Sequence, residues 1–212
     1  MKLIDKLLQS INNLDFFDTY EGLIGGNLIK AYKDFEKLFP DAVMVGGLAV
    51  DQYIEEPMLT RDVDIVATLD TILNIQADDF DTIKLSRKFH KLFRETTENE
   101  KGDLIHKSTG TPIDLVIASK SKLIPYLMKN LDKYSIVKDN IRIMKPEVIV
   151  AMKSIRPIED PKHPKAGKDR VSIEGLLRAY PDLDIGELQK YLSKDNIKLI
   201  EKLRAHINGD NK

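Results

Sequence analysis

The sequence predicts an α+β fold: a mixed sheet core flanked by helices, with a helical C-terminal region. Three observations predict it. Apolar residues recur at helical spacing over the first forty positions and again from position 146 onward. Between these stretches, short runs rich in Val and Ile alternate with acids or stand between Gly, Pro, Asp and Ser clusters, which is how strands read. Hydrophobic residues make up 42% of 212 positions, enough for one real core, so disordered and fibrous classes are excluded.

The elements follow in order. Leu3, Ile4, Leu7, Leu8 and Ile11 form one helical stripe, and Leu28, Ile29, Tyr32, Phe35, Leu38 and Phe39 form another. Gly25-Gly26 separates the two, and Pro40-Asp41 ends the second. Ala42-Val43-Met44-Val45 reads as a buried strand that turns at Gly46-Gly47, and 48–53 opens a helix. Acids alternate with β-branched residues over 62–68, a strand. Leu85, Phe89, Leu92 and Phe93 keep helical spacing across 79–94. The runs 103–107 and 112–118 read as a hairpin closed around Ser108-Thr109-Gly110-Thr111. Leu123, Ile124, Leu127, Met128 and Leu131 mark a helix, and 136–144 alternates again, with Asp139-Asn140 as a turn or bulge. Pro146 suits a first helical position, and 148–152 is apolar all round, so that helix is expected to be buried. A loop rich in Pro, Lys and Gly spans 156–168. Ile173, Leu176, Leu177 and Tyr180 make a further helix, Asp184 with Glu187 is a capping-box pattern, and Ile197, Ile200, Leu203 and Ile207 make the last helix. The expected division is N-terminal helices at 1–40, an α/β core at 41–145 and a helical C-terminal region at 146–212.

Cysteine is absent, which excludes disulfide scaffolds, thiolate metal sites and cysteine nucleophiles. No apolar run reaches the ~18 residues of a membrane span. Asp5 and Lys6 interrupt the first residues, so no signal peptide is expected and the reading is cytoplasmic. The net charge of −1 hides an asymmetry: 1–119 carries 13 Lys/Arg against 21 Asp/Glu, and 120–212 carries 20 against 13. An acidic half suits metal cations and a basic half suits phosphate or nucleic acid, although two mutually attractive solvated faces give the same count.

Chemistry concentrates in two segments. Asp62 and Asp64 stand two apart on the predicted strand, so alternation puts both on one face with Val63 and Ile65 on the other. Carboxylates that close repel unless a cation lies between them, and hard divalent ions take such oxygen ligands. Asp114 interrupts the apolar run Pro112-Ile113-Asp114-Leu115-Val116-Ile117, a costly place for a lone acid. If its strand lies beside the first, three carboxylates converge on a two-metal phosphoryl-transfer centre. Gly46-Gly47 would let backbone amides approach a phosphate. Lys153 is a cation on the most apolar helix, where it either snorkels at the helix end or reaches a triphosphate. The basic loop behind it holds six Lys/Arg against three acids over 153–170. The histidines at 90, 106, 163 and 206 show no metal-ligand spacing and read as surface or packing residues.

Val45-Gly46-Gly47, the pair Asp62/Asp64 and the later Asp114 resemble the DNA polymerase β-like nucleotidyltransferase superfamily. Val45-Gly46-Gly47-Leu48-Ala49-Val50 and Thr60-Arg61-Asp62-Val63-Asp64-Ile65 are similar to the abortive-infection and type IV toxin-like members, which also carry a lysine on a helix after the core and a Lys-Asp pair before the next helix. Lys153 and Lys168-Asp169 stand at those places. Many members have Gly-Ser where this chain has Gly46-Gly47, and Val50-Asp51 replaces the Arg-Asp typical of tRNA CCA-adding enzymes. The resemblance covers roughly residues 41–180.

The resemblance implies a nucleotidyltransferase-type sheet core and a metal-dependent enzyme. It would take a nucleoside triphosphate such as ATP and transfer the nucleoside monophosphate to a hydroxyl, releasing pyrophosphate. Asp62, Asp64 and Asp114 are the expected ligands of Mg²⁺ (or Mn²⁺) and, with Lys153, the expected catalytic residues. Gly46, Gly47, Lys153, Lys168 and Asp169 are the expected nucleotide-binding residues. The acceptor is a tRNA or other RNA end, or a protein, with a toxin–antitoxin setting and an antitoxin partner. The rivals are a catalytically silent nucleotide-binding or antitoxin-partner module and a small-molecule (drug-modifying) nucleotidyltransferase.

Overall fold

The computed structural model describes residues 14–55, 60–98, 100–116, 121–155 and 165–210. The stripe Leu3 to Ile11 and most of the basic loop lie outside them.

The architecture is α+β, as expected: a seven-stranded mixed sheet with helices against it. In chain order the elements are α1 (Leu14–Glu36), β1 (Val43–Val45), α2 (Gly46–Val50), β2 (Val63–Val66), α3 (Leu69–Gln76), α4 (Ile83–Leu92), β3 (Phe93–Glu95), β4 (Leu104–His106), β5 (Thr111–Leu115), α5 (Leu123–Met128), α6 (Leu131–Tyr134), β6 (Ser135–Lys138), β7 (Ile141–Met144), α7 (Pro146–Ser154), α8 (Ala166–Ala179), a 3₁₀ helix (Gly186–Tyr191) and α9 (Lys194–Asp210). The sheet order is β3-β4-β5-β2-β1-β7-β6. The pairs β2–β5 and β1–β7 are parallel, and the other neighbours are antiparallel.

The core follows from the pattern. β1 is buried along its whole length and lies in the interior of the sheet, between β2 and β7, as its three apolar residues require. Helix α1 lies over β2 and β5. Its Tyr32, fully buried, has its hydroxyl within hydrogen-bond reach of the carbonyls of Arg142 (2.7 Å) and Ala42 (3.0 Å), which brings the start of β1 and its neighbour β7 under one side chain. Asp41 accepts from the Thr68 amide (2.8 Å) and hydroxyl (2.6 Å), linking the entry of β1 to the exit of β2. On the C-terminal side α7 packs on α2 and α8, and α9 on α7 and α8. Helix α7 buries Val148, Ile149, Val150 and Ala151 and has Pro146 in its first turn, as its composition predicts.

Several expectations are corrected. Gly25-Gly26 does not end a helix: α1 runs through both, and each glycine weakens a helix by only about 1 kcal/mol. The stretch 79–94 is not helical to its end. The chain leaves α4 at Leu92, and Phe93 opens the edge strand β3. The glycines at 46 and 47 do not precede α2 but form its first turn. Lys168-Asp169 likewise lies inside the first turn of α8. Asp184 and Glu187 make no capping box. Asp184 accepts from the Gly186 amide at 2.8 Å, and Glu187 instead takes the Tyr134 hydroxyl and the Lys133 ammonium. Asp139 and Asn140 are the turn of the β6–β7 hairpin, both at positive φ (51° and 59°), the geometry of a type I′ turn.

Among the described residues, no helix is long and apolar enough to cross a membrane.

Candidate active site

Two acids from neighbouring strands make the floor of the site. β2 and β5 run parallel with Asp64 opposite Asp114. Adjacent strands lie about 4.8 Å apart, and residues in register point to the same face. Val63, Ile65 and Ile113 on the other face are fully buried. Asp64 and Asp114 therefore project side by side into a cleft of about 580 Å³.

The glycine at 46 is what admits Asp64. Its φ is 72°, which L side chains rarely adopt, and a Cβ there would lie 1.7 Å from Asp64 Oδ2. The space left by the missing side chain is thus taken by the carboxylate. Gly47 does the same for Thr60, whose Cβ and Oγ1 would both lie 3.1 Å from an added Cβ. The Thr60 hydroxyl in turn donates to Asp62 Oδ1 at 2.8 Å.

Asp62 stands just before β2 rather than on it, half-buried and bonded to Thr60, and does not line the cleft. Among the described residues, no three His, Asp or Glu side chains form a group able to hold a metal ion. The three-acid convergence expected from the sequence is therefore a two-acid pair with Asp62 to one side.

Lys153 lines the cleft, but its ammonium donates to Asp169 Oδ1 at 2.9 Å, and the two residues are only 8% and 2% exposed. The lysine is thus neither snorkelling nor open to solvent. A buried ion pair joins α7 to α8. Lys168, on the same turn as Asp169, is exposed and outside the cleft lining. The basic loop contributes Lys165 to the lining instead.

An apolar wall faces the acids: Ile124 from α5 and Ile149, Met152 and Ile155 from α7 and its end. Gly102 and Asp103 line the cleft beside Asp114; the sequence reading placed Asp103 at the start of a hairpin strand with no role and did not single out Gly102. Their signal in the sequence is faint, a glycine and an acid at the entry to a strand.

The donor set on the floor is oxygen only, and two like charges at strand spacing repel unless a cation or a proton comes between them. The residues present fit a hard divalent cation such as Mg²⁺ or Mn²⁺, which takes carboxylate oxygens. Asp64 and Asp114 would hold it. The cleft as a whole is lined by acids, by an apolar wall and by Lys153 and Lys165.

No family model matches the chain, and no curated protein matches it. Among solved structures, the chain is similar to an antigenic nucleotidyltransferase-like protein from Paracoccidioides brasiliensis, at 20% identity and a TM-score of 0.48, over 85% of this chain and 88% of that one.

Proposed function

We propose that the protein is a metal-dependent nucleotidyltransferase. The observation that carries this reading is the in-register pair Asp64/Asp114 on the floor of a cleft with cations at its edge and an apolar wall. The order of the motifs in the sequence supports it.

In this reading a nucleoside triphosphate, ATP among the candidates, lies in the cleft with its ring against Ile124, Ile149 and Met152. An acceptor hydroxyl attacks the α-phosphorus, the bond to the pyrophosphate oxygen breaks, and the hydroxyl proton leaves to a carboxylate; Asp114 serves either as that base or as a metal ligand beside Asp64. Mg²⁺ or Mn²⁺ held by Asp64 and Asp114 would supply charge stabilisation on the phosphates. Asp62 would join that pair by exchanging its bond from Thr60. Gly46, which lines the cleft, would present backbone to the phosphates, and Gly47 would hold the turn. Lys153 would act from within its ion pair with Asp169, fixing positive charge at the edge of the cleft. Lys168, on the same turn as Asp169, is kept as a candidate for the distal phosphates. The acceptor classes are RNA, a tRNA end included, and protein, with an antitoxin as the partner that would restrain the activity.

The test is transfer of α-labelled nucleotide to total tRNA, total protein and a metabolite extract in parallel. Label on one fraction that needs the divalent ion and disappears with Asp64→Asn supports the reading, and label on the metabolites alone points to the drug-modifying class. Nucleotide binding with no transfer in any fraction favours the silent binding module. That second reading draws on Asp62, whose carboxylate is turned to Thr60.

A further inference from the structure

Gly102-Asp103 has no part in the chemistry above, yet it holds Asp114 from three directions. The Asp103 amide donates to the Ile113 carbonyl at 2.8 Å. The Leu115 amide donates to Asp103 Oδ2 at 2.6 Å. The peptide groups before and after Asp114 are thus both bound by one residue. Gly102, at φ 89°, passes over the carboxylate itself, so that a Cβ there would lie 3.1 Å from Asp114 Oδ1 and 3.1 Å from the Ile113 carbonyl.

The ladder explains why a side chain is used here. The β4–β5 pairing ends at Leu104↔Ile113. Val116 donates its amide to Ile65 on β2, so by alternation the Leu115 amide points the other way, towards β4. Beyond Leu104 the backbone of that neighbour turns off at Gly102, and no carbonyl follows to meet it. The Asp103 carboxylate takes the place of the missing rung. The strand opens for the cleft without loosening the residue that faces it.

We infer that Asp103 is a positioning residue of the proposed centre: its carboxylate extends the β4–β5 ladder by one step and so holds Asp114 in register beside Asp64 against the repulsion of like charges. This rests on the reading of Asp64 and Asp114 as the cation-holding pair. The inferred role needs an acceptor oxygen at position 103 and does not need its charge.

The experiment titrates the full-length chain with Mn²⁺ alone, followed by electron paramagnetic resonance, in wild type, Asp103→Asn, Asp103→Ala and Asp114→Asn. Asp103→Asn keeps an acceptor and is expected within about twofold of wild type, whereas Asp103→Ala is expected to bind about 10- to 100-fold more weakly, the usual range for losing a partner that orients a ligand. Equal losses in the two variants would make the charge the essential property and overturn the positioning role. Wild-type affinity in Asp103→Ala would also overturn it. Amide hydrogen exchange at Leu115 judges the rung without any metal: slow exchange in wild type and Asp103→Asn supports it, and fast exchange in wild type refutes it even if Asp103→Ala fails to fold. Undiminished Mn²⁺ binding by Asp114→Asn would instead refute the cation-holding pair, while exchange at Leu115 would still decide the rung.

Discussion

Two pairs of charges meet the same cleft and differ in one respect. Asp64 and Asp114 are alike in sign and in register on parallel strands. Lys153 and Asp169 are opposite in sign and 2.9 Å apart between two helices. Opposite charges satisfy each other in a dry setting and are costly to separate. Like charges repel each other and gain from a cation placed between them. The helix pair thus ties α7 to α8, and the strand pair lines the cleft. Charge in an apolar context does not by itself mark function, and the sign of the neighbour decides which role it has.

The comparison is broken most directly at Asp64. Asp64→Asn is expected to lower nucleotide transfer by about a thousandfold or more, because several kcal/mol of charge stabilisation is lost. Its melting temperature should hold or rise, since one of two crowded charges has gone. A large fall in melting temperature, read by calorimetry, would show Asp64 to be a structural member like Asp169.

The opposite result is expected at the helix pair. Lys153→Ala leaves the Asp169 carboxylate buried without its cation, at about 3–5 kcal/mol of stability, which urea unfolding would measure. The double variant Lys153→Met/Asp169→Leu should recover most of that loss. If Lys153→Ala is instead as stable as wild type but binds nucleotide more weakly, the lysine belongs with the ligand site, and the contrast between the pairs fails.

Gly46→Ala tests the link between backbone and acid. The positive φ alone costs about 1–2 kcal/mol, and the methyl group would displace the Asp64 carboxylate. Mn²⁺ binding is therefore expected to fall further than the same substitution at Gly26, where an added Cβ meets nothing within 4 Å.

The smallest expected effect extends the comparison to a buried group that the fold keeps from taking up a charge. His106 is fully buried, with Nδ1 2.8 Å from the Thr109 hydroxyl and Nε2 3.3 Å from Asp34. Burial first, and the nearby Lys30 charge second, hold its pKa below the ordinary 6.5, partly opposed by Asp34. The unfolded chain therefore takes up this proton more readily than the fold. Stability should be flat above 6.5 and decline as pH falls from there to the lowered value, by at most about 1.4 kcal/mol per pH unit. His106→Gln should flatten that decline in thermal melts across the interval.

Most of the frame was legible in the sequence because it follows from period and punctuation. The strands around Val45, Ile65 and Ile113, the hairpin turn at Asp139-Asn140 and the buried α7 are where the pattern puts them. Asp64 and Asp114 were legible as acids in apolar strands, and their adjacency was confirmed by the register. What escaped depends on pairing between distant segments. The continuity of α1 through Gly25-Gly26 was not legible, because a glycine pair also marks loops. Asp62 falls one residue short of its strand and finds Thr60. The partner of Lys153 lies sixteen positions away, on another helix. Asp103 could be read only once β4 and β5 were side by side, because its role is to replace a rung that the neighbouring strand does not supply.

The parallel pairing of β2 with β5 also shapes how the protein reaches its fold. Fifty residues separate Asp64 from Asp114, and they contain two helices, an edge strand and a hairpin arm. Closing so long a segment spends chain entropy before any contact rewards it, which places this pairing among the slow steps of self-assembly. The hairpins β4–β5 and β6–β7 are local and can form early, whereas the two carboxylates meet only at closure and oppose it electrostatically. Under the proposed reading, a divalent ion in the refolding medium should therefore speed closure of this pairing as well as stabilise the finished protein.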